Sequence, residues 1–156
     1  MNEGDVIAKI REKFGDKVLE AYTPGTRRVS IRVQPEIYKE VVGYVANDLG
    51  ASFLSCVSGI DRGDSLEVIA NLGYSTCILI KTLIPKNNPE IDSLTDILPA
   101  ADLYEREVHE LLGIIFKNHP NPGRTFLPED WPEGVYPLRK EYVPEHPKPL
   151  RRGGKD

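Results

Sequence analysis

Apolar residues first recur at helical spacing. In "EGDVIAKIREKFGD", Val6, Ile7, Ile10 and Phe14 share one stripe, and Gly15 is placed to cap the C-terminus. Beyond a turn at Pro24-Gly25 the period changes to two, and "RRVSIRV" sets Val29, Ile31 and Val33 on one face of a strand. Pro35 then opens a second helix at the position where its missing N–H costs nothing. The stripe Ile37, Val41, Val42 and Val45 runs on to Leu49, and Gly50 terminates it.

Three apolar segments follow, "SFLSCVSGI", "SLEVIANLGY" and "STCILIKTLIP". They are separated by "DRGD" at residues 61–64 and by a very short connection around Gly73, as antiparallel hairpins require. The unbroken apolar run "CILIKTLI" predicts a strand covered by helices on at least one face. In "SLTDILPAADLYEREVHELLG", Ser93 and Asp96 approximate a capping box, Pro99 interrupts, and a helix is predicted from about Ala100 to Leu112. Its stripe is Tyr104, Val108, Leu111, Leu112 and Ile115, and Gly113 falls where the helix should end. Grouped strands favour an α+β fold, a small mostly antiparallel sheet with helices packed on it.

From Phe116 onward the periodicity stops. The pattern predicts a compact domain over residues 1–116 and an extended arm over 117–156. Eight of the thirteen prolines lie at or after residue 120. The last eighteen residues carry a local charge of +3 in a chain of net charge −4, so an acidic body precedes a basic arm. Phe126, Leu127, Trp131 and Tyr136 are too apolar for a solvated tail, which argues that the arm lies across another surface.

The overall acidity argues against nucleic acid as a partner, and the aromatics of the arm form no stacking platform. No apolar run approaches the ~18 residues that cross a bilayer, and "MNEGDVIAKIREKFGD" has no signal-peptide core, so membrane association is expected only through a partner. Cys56 and Cys77 lie within apolar runs and read as buried, reduced thiols; two cysteines cannot supply the four thiolates of an ordinary iron–sulfur cluster.

Candidate chemistry concentrates in "EREVHELLGIIFKNHP", Glu105 to Pro120. A zinc protease needs H-E-x-x-H, and here Gly113 stands where the second histidine should be; neither His119 nor His146 has paired spacing. Glu105 and Glu107 point about 200° apart on a helix, so they cannot work a substrate from one side. Asp102 with Arg106, Arg106 with Glu110, and Glu105 with His109 stand at i, i+4 spacing, which reads most simply as a solvated, salt-bridged helix face. Phosphate loops and nucleophile elbows are absent from the sequence. An independent hydrolase or metal enzyme using His109 and Glu110 is left as the alternative class.

Together, "SLTDILPAADLYEREVHELLGIIFKNHP", "LPEDW" and "YPLRKEY" resemble, in order, the NuoC-type family of respiratory complex I subunits. That family includes subunits of F420H2 dehydrogenases and of complex I-like membrane-bound [NiFe] hydrogenases. The matching positions are Glu105, Arg106, Glu107, Gly113, His119, Pro120, Arg124, Pro137, Leu138, Arg139 and Lys140. Two stretches depart from the pattern. His109–Leu112 replaces a segment resembling Tyr-Asp-Met-Phe, and Asn121–Arg124 retains one arginine where two are usual.

The resemblance implies a scaffold with no cofactor of its own, in the peripheral arm on the cytoplasmic face of the membrane. Implied partners are a hydrogenase-like large subunit, an iron–sulfur small subunit and the other members of the complex. The iron–sulfur clusters, and NiFe in the hydrogenase branch, would sit in those partners. The compact form leans toward the membrane-bound [NiFe] hydrogenase or a related archaeal branch, with NADH:quinone or F420H2 dehydrogenase as the alternative. Phe126, Trp131 and Tyr136 are expected either as anchors on a partner or as packing on this domain's own sheet, and Arg139 and Lys140 either pair with partner carboxylates or stay solvated.

Overall fold

The computed structural model describes residues 2–73 and 75–144; His146 and the rest of 145–156, the end of the expected arm, lie outside the described residues. In chain order the elements are α1 (Glu3–Phe14), β1 (Val18–Gly25), β2 (Arg28–Val33), α2 (Tyr38–Asn47), β3 (Leu54–Asp61), β4 (Ser65–Leu72), β5 (Cys77–Pro85), β6 (Glu90–Asp92), α3 (Ala101–Leu112) and β7 (Ile115–Lys117). The helix starts and stops follow the local chemistry. Asn2 caps α1 by accepting the Asp5 amide, Pro35 opens a 3-10 turn ahead of α2, and Gly113 ends α3 in the left-handed region at φ 73°.

Five strands form one sheet in the order β1-β2-β5-β4-β3, and β6 pairs with β7 in a separate two-stranded ribbon. The main sheet is mixed: β2 and β5 run parallel at its centre, and the other three pairings are antiparallel. Register explains the core. Ile31 lies beside Ile80, Ala70 beside Ile80, and Val57 beside Ala70, so one face is apolar from strand to strand. All three helices cover that face. Val6, Ile10 and Phe14 of α1, Val41, Val42 and Val45 of α2, and Val108 and Leu112 of α3 are buried in one cluster with it.

Gly59 shows how tightly α3 seats. A Cβ there would overlap the side chains of Leu112 and Val108, so the helix rests on bare strand backbone. The opposite sheet face carries a charged network. Arg32 bridges Glu20 at 3.4 Å and Glu67 at 3.8 Å, and Arg62 also grips Glu67.

Several readings of the pattern need correction. The segment "VLEAYTPG" is a strand, β1, which the pattern does not predict because only Val18 of its eight residues is buried, leaving no alternation to read. Ile115 lies on the exposed side of β7 and does not extend the α3 stripe. Ser93 and Asp96 do not form a capping box: Asp96 pairs with Lys39 at 2.8 Å, and Ser93 serves Glu105. Cys56 and Cys77 are free thiols as expected, but half-buried.

Adding one methyl at Gly59 should test the α3–β3 seat. Gly59→Ala is expected to lower stability by about 1–3 kcal/mol through overpacking, measured as a shift in urea midpoint with unchanged slope.

Candidate functional site

The carboxylates of "EREVHELLG" do not form a solvated face. Glu105 is fully buried and Glu110 nearly so, which overturns the salt-bridged-surface reading. Glu105 points from α3 toward the loop before it, accepting the Ser93 hydroxyl at 2.6 Å and the Leu94 amide at 2.7 Å. Burial pushes its carboxyl up to about 7 despite those two donors. The Tyr38 hydroxyl is also buried, with no hydrogen-bond partner among the described residues; burial, then the charge of Glu105, holds its phenol well above the ordinary range.

His119 sits on the same side of α3. The Asn121 amide donates to Nδ1 at 3.1 Å, so Nε2 carries the proton and donates to the Asp102 carbonyl at 3.2 Å. Nε2 is also 3.4 Å from the Asp102 carboxylate and 3.9 Å from that of Glu105. Arg106 pairs with Asp102 at 3.1 Å, as its spacing suggests, but turns to the Thr125 hydroxyl at 2.6 Å and makes no ion pair with Glu110.

Glu110 has a different task. Its carboxylate accepts the amides of three consecutive arm residues, Thr125, Phe126 and Leu127, with the Leu127 contact at 2.8 Å and the Thr125 contact very short. Each carboxylate oxygen takes two of these bonds, leaving none to abstract a proton from a substrate. His109 donates from Nδ1 to the Ile114 carbonyl at 2.8 Å, reinforcing the helix end. The carboxylate that such a hydrolase would need from Glu110 is therefore spent on architecture. Among the described residues no group of three metal-ligating side chains comes together.

The arm folds back over α3 through a chain of such contacts. Arg124 donates to the carbonyls of Pro128, Glu129 and Trp131, closing a loop, and Trp131 donates to the Val135 carbonyl at 2.8 Å. Tyr136 lies against Gly113, where any side chain would collide with its ring, and the Arg139 guanidinium stacks on that ring at 4.7 Å. Arg139 donates to the Leu112 carbonyl at 2.7 Å and the Leu138 amide to the Leu111 carbonyl at 3.0 Å, so "PLR" (Pro137–Arg139) satisfies the exposed end of α3. A cavity of about 390 Å³ lies between arm and helix, lined by His109, Arg124, Trp131, Glu133 and Tyr136.

Next along the arm, Asp61 at the end of β3 accepts the Lys140 amide at 2.9 Å and the Lys86 ammonium at 2.8 Å, and Lys86 reaches on to Glu141 at 2.7 Å. Burial opposes ionisation of Asp61, but Lys86 together with the Lys140 and Gly63 amides outweighs it and holds the carboxyl well below its ordinary range. Asp61, Lys86 and Glu141 escape a reading of the sequence, because nothing local ties residue 61 to residue 140. Of the other expected positions, Glu107 is half-buried, Pro120, Phe126, Leu138 and the Lys140 side chain are exposed, and Pro137 is half-buried.

Two titrations separate these roles. The carboxyl of Glu105 is raised in the folded state, so its stabilising contribution is full below the unfolded value near 4.5 and is lost as pH rises through about 7. Glu105→Gln keeps the buried acceptor, and its stability relative to the parent should rise by on the order of 3 kcal/mol from pH 4 to pH 8 in urea unfolding. The carboxyl of Asp61 is depressed, so its contribution is present above the unfolded value and fades in acid. Asp61→Ala should cost about 2–3 kcal/mol at pH 7 and speed proteolytic cleavage of the arm beyond Leu138, read by limited digestion.

Comparison with known proteins places this geometry. Residues 31–148 match the family described as "Respiratory-chain NADH dehydrogenase, 30 Kd subunit". The chain is 35% identical to the C-type subunit of the F(420)H(2) dehydrogenase of Methanosarcina mazei, covering 91% of this chain and 92% of that protein. It is 34% identical to membrane-bound hydrogenase subunit beta of Pyrococcus furiosus, covering 97% and 98%. A chain in the structure of the membrane-bound sulfane sulfur reductase, an archaeal respiratory membrane complex, shares the fold with a TM-score of 0.79 at 23% identity, over 90% of this chain and 85% of that one. The chain belongs to the family of the 30 kDa subunit of respiratory-chain NADH dehydrogenase.

Proposed function

We propose that this chain is a non-catalytic structural subunit of a complex I-related, membrane-bound electron-transfer complex. It docks against the hydrogenase-like large subunit in the peripheral arm, on the cytoplasmic face. The observation that carries this reading is how Glu105, Arg106, Glu110 and Arg139 are used. Each of these chemistry-bearing side chains is committed to bonds that fix α3 and the arm, and the relatives of full length are subunits by name.

Division of labour follows from exposure. Glu105, Arg106, His119, Trp131, Tyr136 and Arg139 shape the surface from within, and the exposed Arg124 closes the loop of the arm. Glu107, Phe126, Leu138 and Lys140 keep free side chains, and we assign them to the partner face. Domain 1–116 is the body, and the segment from 117 is laid over α3 so that this body offers one continuous docking surface. No helix among the described residues is long and apolar enough to cross a membrane. Iron–sulfur clusters, and NiFe in the hydrogenase branch, belong to those partners. The hydrogenase and F420H2 dehydrogenase relatives are nearly equal in identity, so the choice of branch is left to the companions of this chain.

Gentle purification of the tagged full chain from detergent-solubilised native membranes, with companions identified by mass spectrometry, tests the reading. Co-purification of a hydrogenase-like large subunit and an iron–sulfur small subunit is expected, and the metal ligands of the large subunit then choose the branch. A chain that emerges alone and monomeric removes the proposal. Phe126→Asp with Lys140→Glu should sharply reduce that co-purification, while unfolding of the isolated chain changes by no more than about 0.5 kcal/mol.

A further inference from the structure

The two edges of the sheet are built differently. β1, "VLEAYTPG", carries Glu20 and Pro24 and two irregularities in its pairing with β2, all of which discourage a further strand. β3, "LSCVSGID", pairs with β4 without interruption from Cys56 to Asp61 and has no Lys, Arg or Pro. Its one charge, Asp61, is already spent on Lys86 and Lys140. Beside the open edge runs a groove of about 200 Å³, walled by Val57 and Gly59 of β3, Glu107 and Leu111 of α3, and Leu138 of the arm. Glu107 has no hydrogen bond or ion pair within the chain among the described residues.

We propose that the outer edge of β3, with this groove, receives an extended segment of a partner protein as an added strand, whose apolar side chains fill the groove and whose basic side chain faces Glu107. Strand addition satisfies the outward amides and carbonyls of β3, and the groove selects alternate side chains. Charge decides the occupant. A second copy of β3 has no cation to offer Glu107, and the basic residues 145–156 carry Pro147 and Pro149, which cannot donate to a ladder. This inference rests on the docking reading and names its surface.

Hydrogen–deuterium exchange on the native complex and on the isolated full chain reads it directly. The outward-facing amides among residues 55–60 should slow in the complex by about tenfold or more, while those of β1 stay unchanged. Glu107→Lys should lower recovery of the complex by about tenfold or more and leave the melting temperature of the isolated chain unchanged. An intact complex in which the β3 amides exchange as in the free chain overturns the inference and leaves the docking reading standing. A chain recovered without companions overturns both. Protection of β3 that grows with the concentration of the chain alone assigns the edge to a second copy and also overturns it.

Discussion

The carboxylate of Glu110 is the point on which the described arm, residues 118–144, depends. Three successive amides of an irregular segment converge on one buried anion, so the described arm beyond β7, residues 118–144, is fixed to α3 without a helix or strand of its own. Backbone amides that are buried need acceptors. A prolyl-rich chain such as "HPNPGRTFLPEDWP" cannot meet that need with regular ladders. Glu110 supplies the acceptor, and Arg124, Trp131 and Arg139 supply the remaining partners for carbonyls. Without the first attachment the loop closed by Arg124 and the stacking of Arg139 on Tyr136 would have no fixed base.

Glu105 plays the complementary part on the other side of the helix. It ties α3 to the loop at Ser93 and Leu94, and its neighbours Tyr38 and His119 come from α2 and from the start of the arm. The two buried glutamates thus hold opposite connections of one helix. One joins the segment before it, the other the segment after it. Seating α3 on Gly59 sets its depth, and the glutamates set its rotation.

Much of the scaffold was legible because its signals are local. The stripes of α1 and α2, the alternation of β2, the turn at residues 61–64 and the stop at Gly113 each sit inside a few residues. What escaped is non-local. The central parallel pairing of β2 with β5 joins residues nearly fifty positions apart, and no periodicity encodes it. The burial of Glu105 and Glu110 was hidden because i, i+4 charge spacing fits a surface helix equally well, and their true partners lie 11 to 17 residues away. Within the family signature, spacing alone assigned Glu105 the wrong surroundings. Its tail, "YPLRKEY", reads as a partner motif in sequence, yet in space it first closes the C-terminal end of α3.

The unequal sheet edges bear on how such a chain behaves when many copies are made at once. A sheet with two receptive edges can propagate, each copy templating the next into a fibre. Pro24, Glu20 and the broken register of β1 make this sheet one-sided. A one-sided sheet is a terminator: whatever strand it accepts, the joint involves two chains and stops there. The irregularity at β1 therefore leaves the edge farthest from α3 a poor template for a further strand.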